Sequence, residues 1–523
     1  MSPAQTNRAL AAEILSALHA AGVRTLCVCP GGRNAPLVLA AEAAADSFEV
    51  VSFFEERSAA FFALGRTQRD GAPAAVITTS GTAAAELLPA LLEARHAGLP
   101  LIAVTADRPR RLRGTGAPQT IDQLPLFAAA GIPVLDLDGP GQLDTLPPGS
   151  CHVNVCFDEP LVDGPVQMAL PATRPAPKVA APWMAQSEAR DVCRDFFSRV
   201  HRPLVLVSSL DETEAHHLAP WLASLSSPLY LEAVSQLRGD RRLQEFSLHS
   251  GERILLTPEC RAACDGVVRL GGVPTPRFWR ECEDLPVLHV SRVNLPGLAD
   301  GGPVIPTGLF LEVCESFVPP GGKNDALFAR DRAAAETLAS LLEAEPRSEA
   351  ALVRALARRL PSEARVFLGN SLPVREWDLA APRATEARTF FANRGVNGID
   401  GLVSTALGLA GNGRPTTAVL GDLSALYDLA GLWPATRVGI DDFTLAVINN
   451  GGGMIFDRMF RSPSFLNAHH LRLRGWAEMF GWHYGTMHAP EETWPDNGPR
   501  IIEALPDVEA TNRFAASYAA LWR

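Results

Sequence analysis

Two turns late in the sequence carry oxygen donors suited to a hard cation. Gly421-Asp422 follows the apolar run TTAVL, and Asn449-Asn450 follows FTLAVI, with Gly451, Gly452 and Gly453 next. Asp422 and Asn450 stand 28 residues apart. A carboxylate, an amide oxygen and a backbone carbonyl suit Mg²⁺, which commonly shares such ligands with a diphosphate, and glycines let backbone amides approach a phosphate. The alternative is two ordinary strand-to-loop turns, since Asp, Asn and Gly favour turns anyway. A third acid, Glu56, sits far upstream in FFEERSAAFFALG, between two Phe pairs. A desolvated Glu has a raised pKa and can share a proton with a nitrogen heterocycle. The alternative is that Glu55 and Glu56 simply favour a helix amino terminus.

These residues act together only if strands end where they stand. From residue 8 to about 170 the runs VRTLCVCP, FEVVSFF, AAVITTS and LPLIAVTA alternate with Ala/Leu-rich helical patterns, which predicts α/β structure with a parallel sheet. The segment PATRPAPKVAAP at 171–182 is Pro-rich and predicts a semi-rigid linker. A second alternating stretch carries RPLVLVSS, SPLYLEA, GVVRLGG and LPVLHVSR and closes near the turn-rich VPPGGKND at 318–325. The third begins with helical patterns around 330–360, continues through ARVFLGN, TTAVLGD and FTLAVINN, and ends in the helical tail TNRFAASYAALW. The expected architecture is α/β throughout, three domains at 1–175, 183–320 and 330–523, each a parallel sheet flanked by helices. Three successive domains of one architecture are compatible with distant duplication.

Net charge is −11 and no long Lys/Arg run occurs, which argues against nucleic acid and anionic membrane surfaces as partners. The first residues read as an amphipathic helix and not as a signal peptide, and no apolar stretch approaches the roughly 20 residues of a membrane span. The nine cysteines form no CxxC pair and suit a reducing, cytoplasmic setting as small core residues. The pairs His216-His217 and His469-His470 lack zinc-type partners at helical spacing and are expected at the surface. No GxGxxG follows a strand and no P-loop motif occurs, which removes two common nucleotide-binding modes.

An amino-terminal Glu combined with a carboxyl-terminal Asp/Asn pair at this spacing resembles the thiamine diphosphate enzymes. The ordered blocks PGGRNAPL (30–37), EERSAAFFALG (55–65), TSGTAAAEL (79–87), TADRPRRLRGTGAPQTIDQ (105–123), GNSLPVRE (369–376), ANRGVNGIDGLVSTALG (392–408) and GDLSALYDL (421–429) are similar to the MenD family, the menaquinone-pathway 2-succinyl-5-enolpyruvyl-6-hydroxy-3-cyclohexene-1-carboxylate synthases. The middle domain matches chiefly through GGVPTPR at 271–277. Three positions depart from the family pattern: Gly32 stands where Ser is usual, Arg277 where Lys is usual, and Gly451 where a third Asn is usual.

The resemblance implies a thiamine diphosphate-binding fold with a pyrimidine-binding domain first, a central domain, and a diphosphate-binding domain last. It puts Mg²⁺, or Mn²⁺ in its place, on Asp422, Asn450 and the Gly452 carbonyl, Ile399 under the cofactor, and Glu56 on its aminopyrimidine ring as the catalytic acid. It puts Ser371, Arg375 and Arg394 around the distal carboxylate of 2-oxoglutarate, and Arg33, Arg108, Gln119 and Arg277 around isochorismate. The implied reaction releases CO₂ and joins the two dianionic substrates, which arginine's planar fork can hold bidentately. A homodimer or homotetramer with active sites at subunit interfaces is implied as well. An acetolactate-synthase-like enzyme would share the cofactor motif but not Arg375 and Arg394. A non-catalytic binding protein would have no need of Glu56 and Asp422.

Overall fold

Largely apolar runs only three to seven residues long are too short for stable helices, and they bury well on both faces when helices cover a parallel sheet. In the computed structural model such runs build three sheets, and every strand pair is parallel. The structure describes residues 1–177, 181–282, 284–299, 301–318, 324–383, 387–460, 462–495 and 498–523. Positions 178–180 of the Pro-rich linker and 319–323 of the turn-rich segment lie outside the described residues.

The first sheet comprises β1 (Thr25–Val28), β2 (Glu49–Ser52), β3 (Ala74–Thr78), β4 (Leu101–Asp107), β5 (Val134–Leu137) and β6 (Cys151–Cys156), in the order β2-β1-β3-β4-β6-β5. The second holds β7 (Pro203–Val207), β8 (Leu229–Leu231), β9 (Gly266–Leu270), β10 (Val287–Ser291) and β11 (Val304–Pro306), in the order β8-β7-β9-β10-β11. The third contains β12 (Arg365–Leu368), β13 (Thr389–Phe391), β14 (Thr416–Gly421), β15 (Phe443–Ile448), β16 (His483–Met487) and β17 (Arg500–Ala504), in the order β13-β12-β14-β15-β17-β16. Counted from its own first strand, each sheet begins second, first, third, fourth. Winding reverses between the first and third strands of such a sheet, and a crevice opens beyond their carboxyl ends. Those ends are Cys29 and Thr79 in the first sheet, and Gly369 and Asp422 in the third.

By backbone contacts the chain groups into two units: residues 1–181 with 395–412 and 424–441, and residues 182–394 with 413–423 and 442–523. In the first unit the helix Glu56–Asp70 is buried from Ser58 through Thr67. It crosses the helix Leu402–Leu409 at two glycines. A Cβ on Gly65 would stand 2.1 Å from the Thr405 carbonyl oxygen, and one on Gly408 2.2 Å from that of Phe62. Arg66 locks the crossing: it donates to both Glu49 carboxylate oxygens (3.0 and 2.7 Å) and to the carbonyls of Gly408 and Ala410 (2.6 and 2.7 Å). A cation on the last carbonyls of a helix also complements its dipole.

In the second unit the middle sheet buries alternate residues on opposite faces, as a strand must. Val205, Val207, Val268, Leu270, Leu288 and Val290 join one core, while Leu204, Leu206 and Val267 join another. The third sheet packs Val366, Leu368, Val419, Ala446 and Ile448 against Leu352, Leu356 and Trp377 of the helices Glu349–Arg359 and Leu372–Ala380. All nine cysteines are buried and free. Among the described residues no helix is long and apolar enough to cross a membrane.

Because the atoms facing Gly408 are backbone, they cannot swing aside for a methyl group. Gly408→Ala should destabilise the protein by about 1–3 kcal/mol, the usual cost of overpacking. Gly439→Ala, where a Cβ meets nothing within 4 Å, is the control. Denaturant unfolding of both variants checks this, and equal midpoints would contradict it.

Candidate active site

Glu55 and Glu56 divide the two readings of the acidic pair between them. Glu55 is the N-cap of the helix Glu56–Asp70 and accepts from Ser58 N at 2.8 Å. Glu56 opens the helix half-buried, and its carboxyl pKa is raised, chiefly by burial, with the neighbouring Glu55 and Glu86 charges pushing the same way. The helix start is anchored from below. The Ser58 hydroxyl lies 2.8 Å from that of Ser404, and Asp428 accepts from Ser404 N (2.7 Å) and from its hydroxyl (3.0 Å). Asp428 is fully buried, and burial lifts its carboxyl to about 7. Ile399 is half-buried in the loop that leads into the helix Leu402–Leu409.

The crevice of the first sheet gathers Arg33 and Arg108. Asn34 is wholly buried and ties its own loop by accepting from Gly31 N (2.8 Å) and donating to the Cys29 carbonyl (2.9 Å). Arg33 donates to the Phe157 carbonyl (3.1 Å) and to Glu159 (2.9 Å), while its Nε is buried without a partner among the described residues. Arg108 donates to the Ser80 hydroxyl and to the Gln119 carbonyl, both at 2.7 Å. Its pKa is lowered by burial and then by the charge of Arg33, so two guanidinium groups repel across this crevice. The other arginines of the same block have carboxylates: Arg110 pairs with Asp136 and Asp138, Arg111 with Asp158, and Arg113 with Asp136. Gln119 adopts a left-handed backbone (φ 55°), which turns its carbonyl to Arg108 and leaves its side chain exposed. Gly32 has no such requirement: a Cβ there meets nothing within 4 Å, so Ser would fit and only a hydroxyl is missing.

The crevice of the third sheet holds the oxygen donors. Asp422 Oδ2 accepts from Gly451 N (2.8 Å) and Gly452 N (2.9 Å), and Oδ1 accepts from Leu423 N (2.6 Å). Burial raises its pKa, and those amides together with His469 oppose the rise. Asn450 Oδ1 is shut off from solvent with no hydrogen-bond partner among the described residues. Gly452 cannot carry a side chain, since a Cβ would lie 2.4 Å from the Leu466 carbonyl oxygen. Gly451 has φ 85°, a conformation glycine and asparagine tolerate best, so the departure from Asn keeps the backbone. One carboxylate, one orphaned amide oxygen and a carbonyl fit Mg²⁺ shared with a diphosphate. No cluster of three or more His, Cys, Asp or Glu exists among the described residues, so a cage made wholly of such side chains is not offered.

Beside this set, Ser371 occupies a strained left-handed conformation (φ 73°) at the start of the helix Leu372–Ala380, and its carbonyl accepts from Arg375 at 2.7 Å. Arg394 is buried and donates to Asn370 Oδ1 and Thr275 Oγ1, both at 2.8 Å. Arg277 stands apart: its side chain is exposed and paired with Glu281 at 2.9 Å. One expectation needs correction. His469 is not a surface residue; its Nε2 lies 3.4 Å from Asp422 Oδ2 and its ring is mostly buried. His216 and His217 are exposed as expected. Ser80, Asn370 and Thr275 were not singled out, although each lies inside a matched block. Nothing in the sequence pattern marks His469.

Residues 8–126 match the family described as thiamine pyrophosphate enzyme, N-terminal TPP binding domain. The chain is 40% identical to the 2-succinyl-5-enolpyruvyl-6-hydroxy-3-cyclohexene-1-carboxylate synthase of Bdellovibrio bacteriovorus over 99% of this chain and 100% of that protein. It is 35% identical to the protein of the same name from Akkermansia muciniphila, over 94% of this chain and 95% of that one. The protein of that name from Halobacterium salinarum is 30% identical over 98% of each chain.

The Asp428 carboxyl beneath Glu56 gives a pH signature. Its ordinary value is 3.8 and its value in the folded chain about 7. The folded state therefore binds this proton more tightly than the unfolded state, and the group's support for folding declines as pH rises from about 4 to about 7, then stays level. Asp428→Asn does not titrate. Wild type's stability relative to this variant should be more favourable at pH 5 than at pH 8, by about 1–3 kcal/mol. Denaturant melts at the two pH values measure it, and a difference independent of pH would count against the buried acid.

Proposed function

The chain belongs to the family of 2-succinyl-5-enolpyruvyl-6-hydroxy-3-cyclohexene-1-carboxylate synthases, and on that premise we propose that it decarboxylates 2-oxoglutarate and adds the remaining succinyl unit to isochorismate, releasing CO₂, in menaquinone biosynthesis. It is a thiamine diphosphate-dependent carboligase. The observation that carries the reading is the oxygen set of Asp422, Asn450 and Gly452, in which a buried amide oxygen has no hydrogen-bond partner among the described residues. Bound thiamine diphosphate supplies the electron sink for loss of CO₂ and the nucleophilic carbon for ligation.

Asp422, Asn450 and the Gly452 carbonyl would hold Mg²⁺, or Mn²⁺ in its place, and Ile399 would lie under the cofactor. Glu56 would share its proton with the aminopyrimidine ring. Its raised pKa brings the carboxyl nearer working pH, where a proton can be lent and recovered most readily. Ser371, Arg375 and Arg394 would take the distal carboxylate of 2-oxoglutarate. Arg394 suits this because Asn370 Oδ1 and Thr275 Oγ1 accept from it and hold its guanidinium in place. Arg33, Arg108, Gln119 and Arg277 would take isochorismate, whose two carboxylates would relieve the repulsion between Arg33 and Arg108.

The assignment extends to a pyrimidine-binding domain at 1–175, a central domain at 183–320 and a diphosphate-binding domain at 330–523. It also extends to a cytoplasmic homodimer or homotetramer with active sites at subunit interfaces. Exposed apolar side chains support an assembly: Phe54, Val396, Tyr427 and Leu429 in one unit, and Phe456, Met459, Phe460 and Phe465 in the other. Of these, Phe456, Phe460 and Phe465 form one patch, with ring centroids 4.4–6.1 Å apart, and contiguous exposed apolar patches mark interaction surfaces.

Purified protein with thiamine diphosphate, Mg²⁺, 2-oxoglutarate and isochorismate should release CO₂ and form the adduct; neither appearing would overturn the assignment. Glu56→Gln should nearly abolish turnover while keeping the fold and most cofactor affinity. Arg394→Ala should lower kcat/KM for 2-oxoglutarate by about 10–100-fold, the loss of charge-assisted hydrogen bonds. Wild-type rates in either variant would refute the role given to that residue.

A further inference from the structure

Two adjacent asparagines leave β15, and each is tethered by a buried carboxylate from elsewhere in the same unit. Asn449 Nδ2 donates to Glu503 Oε1 at 2.5 Å, and Asn450 Nδ2 donates to Glu349 Oε1 and Oε2 at 3.3 and 3.1 Å. Glu503 is fully buried and Glu349 nearly so. The two tethers differ in consequence. Asn449 Nδ2 also donates to the Leu471 carbonyl at 2.9 Å, so that amide is built into the loop. The Asn450 oxygen is left buried with no donor to accept from among the described residues.

We propose that Glu349 is a positioning residue for the metal site: by holding the Asn450 amide nitrogen, it fixes which end of that amide faces the cation. The inference rests on the reading that Asp422, Asn450 and Gly452 hold Mg²⁺. An asparagine side chain is nearly symmetric in shape, and a half-turn about its last bond exchanges oxygen for nitrogen. The nitrogen offers no lone pair to a cation. A carboxylate only accepts, so a carboxylate facing the amide admits one orientation and rejects the other.

Glu349 is itself well anchored. It is the first residue of the helix Glu349–Arg359, Ser348 caps that helix by accepting from Ala351 N at 3.3 Å, and Glu349 N donates to Thr511 Oγ1 at 3.1 Å. A negative group on the first turn of a helix is also favourably placed. The carboxylate thus stands on a rigid element, as a group that orients a metal ligand should. It lies 101 residues before Asn450 and outside every motif that marks the site.

The test is a double-mutant cycle on metal affinity, read by the Mn²⁺ electron paramagnetic resonance signal with saturating thiamine diphosphate. Glu349→Ala should weaken Mn²⁺ binding by about 10–100-fold, the usual effect of losing a partner that orients a ligand. In the Asn450→Ala background the same substitution should add no more than about twofold, because the ligand it orients is gone. A merely structural Glu349 would instead weaken both backgrounds equally, and that outcome, or wild-type affinity in Glu349→Ala, overturns the proposal. If Glu349→Ala does not fold, Glu349→Gln replaces it. Glutamine can satisfy either amide orientation, so a loss of about threefold is expected that vanishes beside Asn450→Ala; wild-type affinity in Glu349→Gln overturns the proposal. Failure of the metal-site reading looks different: Asn450→Ala alone would then bind Mn²⁺ as tightly as wild type.

Discussion

A parallel strand can be reached from its neighbour only by a right-handed crossover, and much of this molecule depends on that constraint. When the chain starts in the interior of a sheet and winds first one way and then the other, the helices after the first and third strands lie on opposite faces. The loops between them cannot be covered. In the first sheet those loops carry Arg33 and Ser80, and in the third they carry Ser371 and Asp422. Chemistry accumulates there because backbone amides and short side chains are exposed at a rigid edge.

The middle sheet has the same strand order. A Cβ on Gly271, which follows β9, would lie 2.4 Å from the carbonyl oxygen of Ser209, which follows β7. Asp211 caps the next helix with its own side chain, accepting from Glu214 N at 2.7 Å, and Arg292 is paired with Glu214 and Asp211. Buried polar atoms without a partner among the described residues occur in all three sheets' surroundings: Arg33 Nε by the first, Arg269 Nε and Glu232 Oε2 by the middle one, Asn450 Oδ1 by the third. From the loop beyond β9, Thr275 Oγ1 accepts from Arg394 at 2.8 Å. The same topology thus recurs with different side chains at its edge: paired acids and bases in the middle sheet, Arg33 in the first and Asp422 in the third.

Legibility in the sequence followed burial and locality. Strands such as β3, β7 and β15 are unbroken apolar runs and could be read directly, as could the helix around Glu56. The strands β11 and β13 have three residues each, too few for any period to register, and β16 reads His-Tyr-Gly-Thr-Met, with little apolar signal. Site residues inside contiguous blocks were legible as well. What could not be read is what long-range contact supplies: Glu349 beside Asn450, His469 beside Asp422, and Asp428 beneath Ser58 by way of Ser404. Each joins residues whose sequence separation holds no periodic signal, so nothing short of the folded chain reveals them.

The three departures from the family pattern differ in what surrounds each position. Gly32 has open space and an unstrained backbone, so its difference from Ser is confined to one hydroxyl. Gly451 is held at φ 85° with its amide on Asp422, so the backbone does the positioning and any residue at ease in that conformation serves. Arg277 is different in kind, because an exposed guanidinium already engaged by Glu281 is positioned by neither burial nor backbone. Its replacement of Lys changes donor geometry where geometry is least constrained. Asn450, Asp422 and Arg394 contrast with all three, since their side-chain atoms are held by hydrogen bonds to residues on other segments of the chain.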